Sequence, residues 1–546
     1  MRTSPRPRPA RWGVLGTAAV LAAGALVALL PTVAQAAPTA PTPDAASPAV
    51  PTPPAVSWTR CSGGLGARGA QCGFVTVPLD YADRSAGTIK IAVSRVVHTS
   101  ATYQGVVLVN PGGPGGSGLG LSTLGSDVPG TVATQYDWIG FDPRGVGSSV
   151  PSLHCDPSYF AYDRPDYVAT TGPLQRYWLD RSASYSQACA THNDLRLLNH
   201  MTTADNARDM ESIRLALGQR KINYYGFSYG TYLGQVYATL FPTHLRRAVL
   251  DSNVDPRRVW YAANLDQDAA FQVTITAFFA WVAQHDDFYH LGSSEAAVEA
   301  LYYGYLDQLR RTPQNGGKVG PDEWTDAFLP AGYYQLTWLD VASIFAAAVH
   351  DGDYTGVTAS IEGPTDDDNG FAVYLATQCT DTTSWPTSYT RTWKPDSLRV
   401  ASTAPFETWG NTWFNSPCLT WPAAPHREVT VDGSAAPPIL LVDEQYDAAT
   451  PYPGSVEVRR RFPNSSLIEV VGGTSHAVTL FGNACTDDAI AAYLADGTLP
   501  TRSAGDGPDK RCRPLPEPVP GAGAAATPSG PAATDPRVQV LTSLPR

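Results

Sequence analysis

Between Ile222 and Leu240 the chain passes in immediate succession through a short apolar run, a glycine-flanked serine and a helical stretch. Ile222-Asn223-Tyr224-Tyr225-Gly226 reads as a buried strand, and Thr231 to Leu240 as a helix ended by Pro242. The turn joining them is Gly226-Phe227-Ser228-Tyr229-Gly230. A turn of this kind lifts a serine hydroxyl clear of a strand end, which requires an α/β sheet around it. With 48 glycines in 546 residues, a serine acquires both flanking glycines by chance about once in 130 cases. The pattern alone is therefore weak, and a Gly-rich turn with a bystander serine is its plain alternative. The preceding strand, the following helix and the lack of a second such pattern favour a nucleophile at Ser228.

The rest of the chain fits that sheet. Val106-Val107-Leu108-Val109-Asn110 is a buried-strand run, and Tyr136 to Asp142 is a second, stopped by Pro143. Ala204 to Leu217 reads as an amphipathic helix, and Arg247 to Asp251 as another strand. Residues 259–425 differ in character. They are rich in Trp, Tyr and Phe, with helical spacing over Ala269–Gln284, Ala296–Arg311 and Leu336–Val349. Strands resume at Pro438–Asp443 and Ser466–Val471, and a helix over Ala484–Ala495 closes the domain. The expected division is residues 57–258 as the first part of an α/β core, 259–425 as a mainly helical cap insertion, and 426–513 as the C-terminal part of the core.

A serine hydroxyl needs a base to take its proton. In an α/β-hydrolase fold the order along the chain is Ser, acid, His. Of ten histidines, His476 alone follows the strand Ile439–Val442, and it sits on a Gly-rich loop, so elimination selects it as the base. Asp443, Glu444 and Asp447 compete for the acid. Asp447 lies on the loop beyond the strand, where a carboxylate can reach the imidazole Nδ1–H and fix its tautomer, and is preferred. The tetrahedral intermediate needs backbone N–H donors. Tyr229, next to the nucleophile, supplies one. The loop Asn110-Pro111-Gly112-Gly113-Pro114-Gly115-Gly116-Ser117-Gly118 supplies the other from Gly113 or Gly112, with Gly113 preferred. The same loop lacks the Lys-Ser/Thr ending of a P-loop and the spacing of a dinucleotide fingerprint. No metal or cofactor is expected: none of the cysteines shows C-x-x-C spacing.

The N-terminus points to export. Arg2, Arg6, Arg8 and Arg11 precede an apolar run from Trp12 to Leu30, and Val33-Ala34-Gln35-Ala36 supplies a small-residue cleavage site. Residues 1–36 thus read as a signal peptide rather than a membrane anchor, and the mature chain as secreted and extracellular. Residues 37–56 and 514–546 are rich in Ala and Pro and read as a disordered pro-segment or linker and a disordered tail. Eight cysteines, an even count, suggest four disulfides, with sequence neighbours as the simplest pairing. The formal net charge is −12, and losing the four arginines of residues 1–36 makes the mature chain more acidic still. An acidic surface repels nucleic acid and anionic lipid, so neither is an expected partner. The oligomeric state is left open.

Four blocks together resemble the secreted tripeptidyl aminopeptidases of actinobacteria, α/β-hydrolases related to the proline iminopeptidases. They are Asn110–Gly118, Gly140-Phe141-Asp142-Pro143-Arg144-Gly145-Val146-Gly147-Ser148-Ser149, Gly226–Tyr232 and Leu250-Asp251-Ser252-Asn253-Val254-Asp255-Pro256. Asp447-x-x-Thr450-Pro451 and the loop around His476 match the same family. The resemblance spans residues 57–515 and implies release of short peptides from free N-termini of peptides or unfolded proteins, through an acyl-enzyme on Ser228. Two places depart from it. His476 stands between Ser475 and Ala477 where relatives carry a His-Gly loop, and Asp443-Glu444-Gln445-Tyr446 replaces a Gly-containing segment. An aminopeptidase must also hold a protonated α-amine, for which cap carboxylates are the natural partners. Glu295, Glu299, Glu323 and Glu362 are candidates, with Asp366, Asp367, Asp368 and Asp381; the run 366–368 reads as a surface loop. An esterase or lactonase on the same scaffold is the alternative activity, and a non-catalytic binding protein a remoter one.

Overall fold

Ten strands form one twisted sheet in the computed structural model, which describes residues 50–162, 164–361 and 368–521. They are β1 (Thr59–Arg60), β2 (Gln71–Pro78), β3 (Thr88–Val96), β4 (Val106–Asn110), β5 (Asp137–Phe141), β6 (Ile222–Phe227), β7 (Leu245–Asp251), β8 (Ile439–Glu444), β9 (Ser466–Val470) and β10 (Lys510–Cys512). Their order across the sheet is β1-β2-β3-β5-β4-β6-β7-β8-β9-β10. From β5 to β10 every neighbouring pair is parallel, while β1, β2 and β3 form an antiparallel edge joined to β5. This is the expected α/β-hydrolase class with a mostly parallel central sheet. The central strands read as unbroken apolar runs because both faces are covered: Val106–Val109 and Ile439–Val442 are all buried.

The antiparallel edge is absent from the sequence reading above, although Thr88-Ile89-Lys90-Ile91 alternates as a half-covered strand does. Between β7 and β8 the chain is helical, chiefly Tyr261–Gln284, Glu295–Arg311, Pro321–Tyr333, Trp338–Asp351, Asn369–Asp381 and Thr408–Asn415. These helices divide between two cores. Phe278, Trp281, Trp324, Phe328, Trp338 and Phe345 pack with one another in a core of the helical layer. Phe371, Trp413 and Phe414 instead join the core beneath the sheet, where Trp413 stacks on Trp178 at 5.7 Å.

Four disulfides join sequence neighbours: Cys61–Cys72, Cys155–Cys189, Cys379–Cys418 and Cys485–Cys512. The predicted signal peptide, and the predicted linker up to residue 49, lie outside the described residues, as does the tail from residue 522. Residues 514–521 run against the helical layer, where the Pro518 carbonyl accepts the Trp281 Nε1–H at 3.0 Å. No helix among the described residues is long and apolar enough to cross a membrane.

The helical layer carries a titrating carboxylate that no cation pairs with among the described residues. Asp268 is buried, accepts Asn411 Nδ2 at 2.7 Å, and is pushed by burial up to about 8. The folded chain therefore keeps a proton that an unfolded Asp, titrating at 3.8, would already have lost. Stability falls as pH climbs through that window. Asp268→Asn keeps the acceptor and removes the titration. Its stabilisation is expected to grow from near zero at pH 4 to about 4 °C or more in the thermal midpoint above pH 8. Unfolding curves across that range check it, and a gain independent of pH would count against it.

Candidate active site

The Ser228 elbow comes directly from the geometry of β6. Its backbone adopts φ 55° and ψ −127°, a strained conformation for any residue with a side chain, between the strand and the helix Tyr229–Leu240. The turn is pinned on both sides. Ser228 N–H donates to the Asp251 carbonyl at 3.1 Å, and the Ser228 carbonyl accepts Thr231 N–H at 2.8 Å. Glycine at 230 is a packing requirement, because a Cβ there would lie 2.7 Å from the Asn110 carbonyl oxygen.

Asn110 also organises the Gly-rich loop that leaves β4. Its Oδ1 accepts Gly112 N–H at 3.0 Å. Gly112 has φ 100°, and a Cβ on it would sit 2.8 Å from that of Ser228. Farther along, Asp142 at the end of β5 accepts Ser117 Oγ at 2.6 Å and Gly118 N–H at 3.0 Å. Arg144, buried and paired to Asp209 at 2.8 Å through both Nε and Nη2, braces the segment that follows. Gly112 has spent its N–H on Asn110. The Gly113 N–H makes no hydrogen bond among the described residues, and Gly113 lines the cavity beside Ser228. Tyr229 opens a helix, so its N–H has no partner four residues back.

His476 lies on the loop after β9, buried, with Nδ1 2.8 Å from Asp447 Oδ2. Of the three acids considered for this place, Asp447 is the one at the imidazole. Its Oδ1 accepts Ala449 N–H and Thr450 N–H, both at 2.9 Å, and Oδ2 accepts Thr450 Oγ1 at 3.2 Å. Asp443 accepts Ser455 Oγ, and Glu444 accepts Ser475 N–H. Burial raises both well above the usual carboxylate range. Two bonds tie the histidine loop to the helical layer: His476 N–H donates to the Tyr333 carbonyl at 2.9 Å, and Gln335 N–H donates to Ser475 Oγ at 3.0 Å.

Ser228, Tyr229, Gly113 and His476 line one cavity of about 790 Å³, roofed by Leu329, Pro330 and Tyr333 from the helical layer, with Tyr374 also on its wall. Among the described residues the acids on its wall are Asp255, Asp266 and Asp326. Each already holds an arginine: Arg257, Arg258 and Arg164 respectively. None of the eight predicted amine anchors is among them. Asp381 accepts Thr203 N–H and Trp260 Nε1–H, while Glu323 pairs with Arg164. Asp368 is a correction to the surface-loop expectation: it is buried, accepting Cys155 N–H, Asp156 N–H and the Tyr185 hydroxyl. Three backbone and hydroxyl donors within reach of its side chain draw it inward. Glu295 and Glu299 stand on a helix away from the cavity, and Glu362, Asp366 and Asp367 lie outside the described residues. Asp326 is legible only as one acid of three at the start of its helix.

Residues 404–512 match the family model described as TAP-like protein. The chain is 41% identical over 475 residues to the tripeptidyl aminopeptidase of Streptomyces lividans, covering 84% of this chain and 88% of that one. It is 29% identical over 480 residues to the serine protease Hip1 of Mycobacterium tuberculosis, with coverage of 82% and 90%. A carboxylesterase B of Mycobacterium tuberculosis is 31% identical over 482 residues, with coverage of 82% and 89%.

Proposed function

Because this chain belongs to the tripeptidyl aminopeptidase family of serine hydrolases, we propose that it releases short peptides, tripeptides foremost, from free N-termini through an acyl-enzyme on Ser228. His476 Nε2 takes the hydroxyl proton as Ser228 Oγ attacks the peptide carbonyl, and the Nδ1–H stays on Asp447. The N–H groups of Tyr229 and Gly113 hold the oxyanion. His476 then protonates the leaving amine, and water repeats the sequence to free the acyl group.

What carries the reading is the single cavity that holds Ser228 and His476 under a helical roof. Such a roof admits a chain end more readily than a folded segment, which favours exopeptidase action. The four disulfides and the predicted leader of residues 1–36 support an exported enzyme working on peptides or unfolded chains outside the cell.

A panel of chromogenic anilides tests the activity. Tripeptidyl anilides with a free amine are expected to be cleaved at least about tenfold faster, by kcat/KM, than aminoacyl, dipeptidyl or N-acetylated counterparts, a difference of about 1.4 kcal/mol in transition-state binding. The resemblance to a carboxylesterase B favours one rival, an esterase on the same site. Hydrolysis of short acyl esters with no anilide turnover would establish that rival and sink the peptidase.

A further inference from the structure

Asp251, the last residue of β7, spends its carboxylate on the histidine loop. Oδ2 accepts Thr479 N–H at 3.0 Å and Thr479 Oγ1 at 2.7 Å. Oδ1 accepts Ser252 Oγ at 3.2 Å, and that hydroxyl in turn accepts Ala477 N–H at 2.8 Å. The residues directly after His476 are thus hung from one carboxylate. The hold matters there because Ala477 has φ 55°, a left-handed conformation that a non-glycine residue keeps only under restraint. Thr479 is itself fixed from β6, where the Tyr225 hydroxyl meets its Oγ1 at 2.6 Å.

The charges around it are unusual. Asp251, Asp443, Glu444 and Asp447 are all buried, and no Arg or Lys pairs with any of them among the described residues. The cation available to this group is the imidazolium that His476 becomes during the reaction.

We propose that Asp251 is a positioning residue for His476, holding its loop through Thr479 and Ser252 and setting a second carboxylate against the imidazolium. The assignment rests on reading Ser228, Asp447 and His476 as the reacting set. Burial pushes Asp251 up to about 6, offset by the Thr479 bonds and by His476, with Asp447 acting in the raising direction. Asp443 and Glu444, on β8, are held up partly by the charge of Asp251 in turn. Above pH 6 the group is ionised and favours a protonated His476. Removing its charge makes the imidazolium less stable.

The test is the pH dependence of kcat/KM on a cleaved tripeptidyl anilide for Asp251→Asn and Thr479→Val, with Ser228→Ala alongside. Asp251→Asn is expected to lower kcat about 10- to 100-fold with KM little changed. It should also move the acid limb of the profile about half a pH unit or more toward lower pH. Thr479→Val keeps the backbone N–H bond but removes the hydroxyl bond that offsets the burial of Asp251, so kcat falls and the limb moves in the same direction by less. A parental kcat in Asp251→Asn overturns the proposal. So does a loss of kcat with the limb unmoved, which marks a purely structural role, or a parental kcat in Thr479→Val. Should Asp251→Asn not fold, the Thr479→Val result decides. Activity surviving in Ser228→Ala would instead overturn the catalytic reading beneath it, which separates the two failures.

Discussion

Ser228→Ala is expected to lose about 10⁶-fold in kcat on any substrate the enzyme cleaves, with the fold unchanged. The hydroxyl is the sole group removed. The backbone bonds that hold the elbow, from Ser228 N–H to the Asp251 carbonyl and from Thr231 N–H to the Ser228 carbonyl, survive the substitution. Alanine suffers the same φ 55° strain as serine, so the thermal midpoint should stay within a few degrees. Covalent labelling by a fluorophosphonate probe should vanish with the activity. Retention of labelling, or a kcat within about 100-fold of the parent, would remove Ser228 from its role.

Asp447→Asn is expected to cost about 10⁴-fold in kcat, with KM changed far less. The local bonding dictates why. Ala449 N–H and Thr450 N–H both point at Oδ1 and will keep an oxygen there. The new amide nitrogen is then forced to the Oδ2 position, 2.8 Å from His476 Nδ1. It can only donate. That favours the imidazole tautomer with its proton on Nε2, the nitrogen that has to accept from Ser228, over the one donating to the remaining Oδ1 at 3.0 Å, an oxygen already taken by two backbone N–H groups. A kcat within about tenfold of the parent would show that another acid serves His476.

The sequence is most explicit where one element decides the matter. The Ser228 elbow is a local structure, so strand, turn and helix can be read from about twenty residues. His476 is reachable by counting, since no other histidine follows β8. Asp447 is harder. Asp443, Glu444 and Asp447 lie within five positions, and only the path of the loop after β8 decides which side chain meets the imidazole. Asp251 is invisible along the chain: it reads as the end of a strand, and Thr479, which it holds directly, and Ala477, which it reaches through Ser252, lie more than two hundred residues away. The helical segment is legible in type but not in its partners. Helical spacing marks Ala269–Gln284, inside the observed helix Tyr261–Gln284, yet nothing in that spacing tells that Trp413 leaves the helical layer to stack on Trp178. Carboxylates offered as amine anchors are likewise drawn into bonds, as Asp368 and Asp381 are, by donors remote in sequence.

The helical layer and the base are joined by the bonds from His476 N–H to the Tyr333 carbonyl and from Gln335 N–H to Ser475 Oγ. A shift of that layer against the sheet would therefore pull on the histidine loop at Ser475 and His476, while Asp447 and Asp251 hold it from the sheet side, so the base stands where the two parts of the molecule bear on each other.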